Sequence, residues 1–126
     1  MTTAYWCVLA AALMPYAFAG IAKFGDRRYD NRAPRDFLSQ LEGRQKRADW
    51  AQLNSFEAFP AFAAAVIIAH LSGAAQSSVD TLAVAFVLLR VAYGWAYITD
   101  RPSTRSLLWV AALACMVGLF VVAARA

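Results

Sequence analysis

The sequence predicts an all-α integral membrane protein, a bundle of four transmembrane helices forming one domain over residues 1–126. Three observations predict it. Of the 126 residues, 61% are hydrophobic and 16% charged, against about 45–50% and about 25% in soluble domains. A chain this short cannot bury so much apolar side chain away from water, because small domains keep a large share of their surface exposed. The apolar residues are also gathered into four stretches, each near the ~20 residues that cross ~30 Å of hydrocarbon. Finally, eight of the twelve basic residues fall between Lys23 and Arg47, in the gap between two of those stretches.

The first helix is expected over about residues 4–24. Pro15 interrupts it, but a bundle tolerates the missing N–H because neighbouring groups satisfy the freed carbonyl. Ala17-Phe18-Ala19 resembles a leader cleavage site, yet the preceding residues lack a positive n-region and three more apolar stretches follow, so the segment reads as a helix that stays. Residues 25–47 form a polar loop with Pro34 and Gly43 as breakers and a short helix over Asp36–Leu41. The second long helix spans about 48–71. Its first half is amphipathic, with Gln52, Asn54 and Glu57, and its second half, Phe59–Ala69, is apolar; Pro60 removes one hydrogen bond and bends it. A short uncharged turn, 72–78, leads to a third helix over about 79–98, which contains Arg90. A tight charged turn, 99–105, places Pro102 to start a fourth helix, about 106–124.

Orientation follows from the basic residues. The loop 25–47, counted with Lys23, and the turn 99–105 carry ten of them, while the N-terminal tail and the turn 72–78 carry none. The positive-inside rule puts both of those connections in the cytoplasm and both termini on the opposite side. The formal charge of +4 does not signal nucleic acid: the basic run is mixed with Asp26, Asp30, Asp36 and Glu42 and suits a loop beside anionic headgroups. Cys7 and Cys115 stand far apart in apolar stretches, neither a disulfide framework nor a metal-ligand pattern, and no metal site is expected. His70 reads as an interfacial residue, and Trp6, Trp50, Trp95 and Trp109 suit an aromatic belt.

Charged side chains within membrane helices cost several kcal/mol, so they face a partner or a cavity. Asn54 and Glu57 share a helix face at spacing i, i+3, and Arg90 shares one with Tyr93 and Tyr97. The two stripes lie in the cytoplasmic half of the bundle and can meet. Arg105 and Ser106 are expected at the start of the last helix, where unpaired backbone N–H groups and the helix dipole favour an anion. A small anionic ligand entering from the cytoplasm could reach all of these. The plainer reading is that Glu57 and Arg90 pair with each other, or with backbone, only to lock the bundle.

The run Arg47-Ala48-Asp49-Trp50-Ala51-Gln52-Leu53-Asn54-Ser55-Phe56-Glu57, followed by Pro60, resembles the helix-two signature of the MAPEG family, the membrane-associated proteins in eicosanoid and glutathione metabolism. Arg90-Val91-Ala92-Tyr93-Gly94-Trp95-Ala96-Tyr97 looks like the family's helix-three motif, and Arg105-Ser106 like the start of its fourth helix. The resemblance covers nearly the whole chain and is closest to bacterial members. It implies a homotrimer in a bacterial inner membrane, with glutathione as co-substrate held between neighbouring subunits. Asn54, Glu57, Arg90, Tyr93 and Tyr97 would line that pocket, Glu57 at the amino group. Arg105 and Ser106 would stand at the sulfur, Arg105 as the catalytic residue. Asp36 aligns only loosely with a loop aspartate that touches the ligand. Tyr93 stands where some members carry histidine, and Trp50 and Leu53 where some carry further basic residues; the turn before Arg105 is about one residue shorter.

The implied activity is a glutathione-dependent transferase or peroxidase acting on a hydrophobic electrophile or lipid hydroperoxide that enters from the bilayer. Two other classes fit the same sequence. One is a non-catalytic lipid-binding or scaffold protein on the same fold. The other is a small proton-coupled multidrug transporter using Glu57, against which Arg90 argues, since such a carboxylate needs no arginine beside it.

Overall fold

The computed structural model describes residues 1–25 and 27–126; Asp26, one of the loop acids, lies outside the described residues. Five helices follow one another: α1 (Thr3–Lys23), the short α2 (Pro34–Ser39), α3 (Gly43–Leu71), α4 (Gln76–Ile98) and α5 (Pro102–Ala124). The four long ones are each long and apolar enough to cross a membrane. They pack α1 on α3 and α4, α3 on α4, and α5 on α4 and α3. The bundle thus has two ends: a loop end, with the segment between α1 and α3 and the α4–α5 turn, and a far end, with the N-terminus and the α3–α4 turn.

Each end of each helix follows from local chemistry. Thr2 caps α1, its hydroxyl accepting the Tyr5 N–H at 3.2 Å. A second orphan donor of that first turn, the Ala4 N–H, is satisfied from another helix: it donates to Asp80 Oδ1 at 2.8 Å. The α3–α4 turn closes on a left-handed Gly73 (φ 77°), with the Ala74 N–H reaching back to the Ala69 carbonyl and the Gly73 N–H to His70. The α4–α5 turn repeats this hydrogen-bond pattern, Arg101 N–H to Ala96 and Asp100 N–H to Tyr97. Here the left-handed residue is Asp100 (φ 58°), not glycine. Pro102 then opens α5 as its first residue.

Four helices begin or end differently from the sequence-based expectation. The third element in the chain, α3, starts at Gly43 rather than near residue 48, because helical hydrogen bonding does not depend on side-chain polarity. Its polar first turns are held from outside instead. Lys46 Nζ donates to the Leu38 carbonyl, and Arg47 Nε donates at 3.0 Å to the Ile98 carbonyl at the end of α4, where a cation also offsets the helix dipole. The short loop helix lies at Pro34–Ser39 rather than 36–41, with proline at its first position. At the other connections, α4 begins at Gln76 and α5 at Pro102, several residues before the apolar runs. Neither Pro15 nor Pro60 interrupts its helix, which continues through it.

Two clusters fill the interior. Toward the far end, small residues such as Ala4, Ala65, Ala69 and Ala83 let the helices approach closely around Phe62 and Phe86. The two rings stack with centroids 3.9 Å apart, 5° from parallel. Toward the loop end, Met14, Phe18 and Ala22 of α1 meet Phe37, Leu41, Ala48 and Ala51. Gly94 of α4 is buried there because the Phe18 ring occupies the space its side chain would take. Much of α5's outer surface is apolar and exposed, including Leu107, Val110 and Val117, as a lipid-facing helix requires.

Candidate functional site

Arg90 is 3% exposed, deep among apolar residues of α4. A guanidinium there needs acceptors, and α3 supplies one: Arg90 Nη2 donates to Asn54 Oδ1 at 2.8 Å. The other end of the same amide donates onward, Asn54 Nδ2 to Glu57 Oε2 at 3.3 Å. The i, i+3 spacing on α3 makes the second bond possible within one turn. Among the described residues the only ion pair is Lys46–Asp49. Arg90 and Glu57 are therefore joined through an amide rather than in the direct contact that the plainer reading offered. Glu57 itself is exposed on the bundle surface.

Aromatic rings surround this chain of polar groups. The Arg90 guanidinium lies 4.2 Å from the Tyr93 ring centroid. Tyr93 and Tyr97 meet edge to face at 5.7 Å, and Trp50 lies 6.2 Å from Tyr97. The guanidinium of Arg105, on the next helix, lies 4.5 Å from the Tyr97 ring. So five of the expected site residues, Asn54, Glu57, Arg90, Tyr93 and Tyr97, come together directly, and Arg105 joins them through Tyr97.

The other expected residues are placed differently. Because α5 begins at Pro102, Arg105 is not at a free helix start; its N–H already donates to the Arg101 carbonyl at 2.9 Å. Ser106 is exposed and lines neither cavity described below. Asp36 is exposed on α2 and is likewise absent from both.

Two cavities adjoin the polar groups. One, of about 340 Å³, is polar and aromatic, lined by Trp50, Leu53, Asn54, Glu57, Tyr93 and Tyr97. The other, of about 280 Å³, runs between α3, α4 and α5. It is lined mainly by apolar groups, among them Ala61, Phe86, Trp109, Leu113 and Met116. Asn54 and Glu57 belong to both and form the wall between them. No cluster of three or more His, Cys, Asp or Glu that could hold a metal stands among the described residues.

Several of these residues escaped the sequence reading. Trp50 and Trp109 looked like belt aromatics, yet each lines a cavity. The spacing of Arg105, Trp109 and Met116, at i, i+4 and i+11, put them near one face of α5, a signal that was there to be read. Asp80 was not singled out: it lies four residues into α4, and one of its two partners is a backbone N–H far away in sequence.

A four-span helical bundle in which a buried cation is linked through an amide to a surface carboxylate defines a membrane protein with a built polar site. A model of the MAPEG family matches residues 3–125, and the chain belongs to that family. No curated protein and no solved structure is similar enough to match it. It is an integral membrane protein of the family concerned with eicosanoid and glutathione metabolism.

Proposed function

We propose that the chain is a membrane-bound glutathione-dependent transferase or peroxidase, assembled as a homotrimer in a bacterial inner membrane with its loop end in the cytoplasm. The observation that carries this reading is the Arg90–Asn54–Glu57 chain, whose Asn54 and Glu57 form the wall between a polar and an apolar cavity. Glutathione has two carboxylates, one ammonium and a thiol, so its site needs cations and at least one carboxylate. Arg90 and Arg105 are cations beside this polar group, and Glu57 is the carboxylate. The neighbouring apolar cavity suits a hydrophobic second substrate arriving from the bilayer.

The chemistry asks for the thiolate, since the free thiol is mostly protonated at neutral pH and reacts poorly. In this reading Arg105 stabilises the thiolate by its fixed positive charge. In a transfer reaction the thiolate sulfur bonds to the electrophilic carbon while a leaving group departs with the electron pair, or a proton is taken up after addition. In peroxide reduction two glutathiones become the disulfide, and the hydroperoxide becomes an alcohol and water. Tyr93 and Tyr97 line the polar cavity and Arg90 the apolar one, while Ser106 is exposed and lines neither.

Titrating detergent-purified protein with glutathione by calorimetry tests this reading, together with the thiolate difference absorbance. Wild type is expected to bind and to show the thiolate signal, and Arg105→Ala to lose the signal. Folded protein that neither binds glutathione nor shows thiolate would overturn it. A second reading, a non-catalytic lipid-binding protein, draws on the apolar cavity beside Phe86, Trp109 and Met116. It predicts co-purified lipid and no turnover with generic electrophiles. The proton-coupled transporter reading has no such support, because Glu57 is tied through Asn54 to a buried arginine.

A further inference from the structure

We infer that Tyr97 is a positioning residue for Arg105, holding the guanidinium on its ring face where it can act on a thiol in the polar cavity. The inference rests on the glutathione reading above. It begins from a mismatch: Arg105 does not line the polar cavity, whereas Tyr97 does. The guanidinium sits 4.5 Å from the Tyr97 ring centroid. Among the described residues it has no ion-pair partner, so the ring is the contact that localises it.

Tyr97 is well built for this. It lies in the last full turn of α4, and its backbone carbonyl accepts the Asp100 N–H at 3.2 Å, which fixes the turn leading into α5. Its ring is braced edge to face by Tyr93 at 5.7 Å and flanked by Trp50 at 6.2 Å. Tyr93 in turn carries Arg90 at 4.2 Å from its centroid. The two tyrosines thus form a rigid corner at 89°, each presenting a guanidinium. A planar guanidinium stacks well on such a face, while the flexible stem of a free arginine would disperse its charge among water and headgroups. The ring, more than the hydroxyl, is what this role requires.

That distinction sets the test. The pH titration of the thiolate absorbance of bound glutathione is compared in wild type, Tyr97→Phe, Tyr97→Leu, Arg105→Ala and the double variant Tyr97→Leu/Arg105→Ala. Tyr97→Leu is expected to reduce the thiolate fraction at fixed pH by about three- to tenfold, the size of a partly desolvated cation–π contact. Tyr97→Phe is expected to restore the titration, even if affinity falls with the hydroxyl. The double variant is expected to be no worse than Arg105→Ala alone. A Tyr97→Phe titration as poor as that of Tyr97→Leu assigns the effect to the hydroxyl and overturns the inference, as does a wild-type titration in Tyr97→Leu. A ligand-free readout separates this from the parent reading: the ring current of Tyr97 should shift the Arg105 side-chain Nε–H proton resonance, a shift kept in Tyr97→Phe and lost in Tyr97→Leu. If that shift is present but glutathione does not bind, the glutathione reading fails while the stacking stands. If the shift is absent in wild type, the stacking itself fails. Should Tyr97→Leu not fold, Tyr97→Met serves as the ringless variant.

Discussion

Arg90 and Asn54 form one donor–acceptor pair across two helices, 2.8 Å long, and it is the only hydrogen bond that Arg90 makes to a side chain among the described residues. The amide is thus both the acceptor for a buried charge and the carrier that passes its influence to Glu57.

Removing that acceptor should cost the fold directly. Asn54→Leu leaves the guanidinium buried without its partner, a loss of about 1–3 kcal/mol or more for a charged group. Thermal unfolding in detergent should show a lower midpoint for Asn54→Leu than for Glu57→Gln, whose amide can still accept from Asn54. Equal midpoints would mean that Arg90 finds another acceptor.

Asp80 ties the start of α1 to α4. Its Oδ1 accepts both the Ala4 N–H and Gln76 Nε2, each at 2.8 Å. Asp80→Ala should lower stability by about 0.5–2 kcal/mol, the range for losing a helix N-terminal partner. Hydrogen exchange should locate the change: the first-turn amides of α1 exchange faster, while those near Arg90 do not.

Asp100 occupies the left-handed position that Gly73 holds at the other turn. Asp100→Gly removes the strain of a side chain there and a carboxylate from a helix C-terminus. It should raise stability by about 0.5–1 kcal/mol. A lower unfolding midpoint would show that the carboxylate has a stabilising partner.

Gly94 and Phe18 share one space. Gly94→Ala forces the ring aside and should cost about 1–3 kcal/mol. Combining it with Phe18→Leu should recover part of that loss. An additive double variant, with no recovery, would rule out steric conflict as the cause.

The helices were legible because hydrocarbon imposes an apolar length that few other pressures produce. Their polar ends were not, since Gly43–Arg47 are kept helical by Lys46 and Arg47 bonding to other elements, contacts that leave no periodic mark. At the site, spacing revealed that Asn54 and Glu57 share one face and that Arg90, Tyr93 and Tyr97 share another. It could not reveal which groups would touch: a helical face fixes direction to within a turn, whereas the amide link and the stacking of Arg105 on Tyr97 depend on neighbouring helices and side-chain torsions. That Trp50 and Trp109 also line cavities was hidden for the same reason, since a ring near a helix end can face lipid, a cavity or both.

The shared wall of Asn54 and Glu57 has a thermodynamic corollary. Whatever occupies the polar cavity and reorients Glu57 also reshapes one side of the apolar cavity, so the two occupants are energetically linked. Linkage is reciprocal: the factor by which the first alters the affinity of the second must equal the factor by which the second alters that of the first. Glutathione and an apolar acceptor, measured each in the presence of the other, would then give a single coupling constant, and severing the amide bridge at Asn54 should bring that constant toward one.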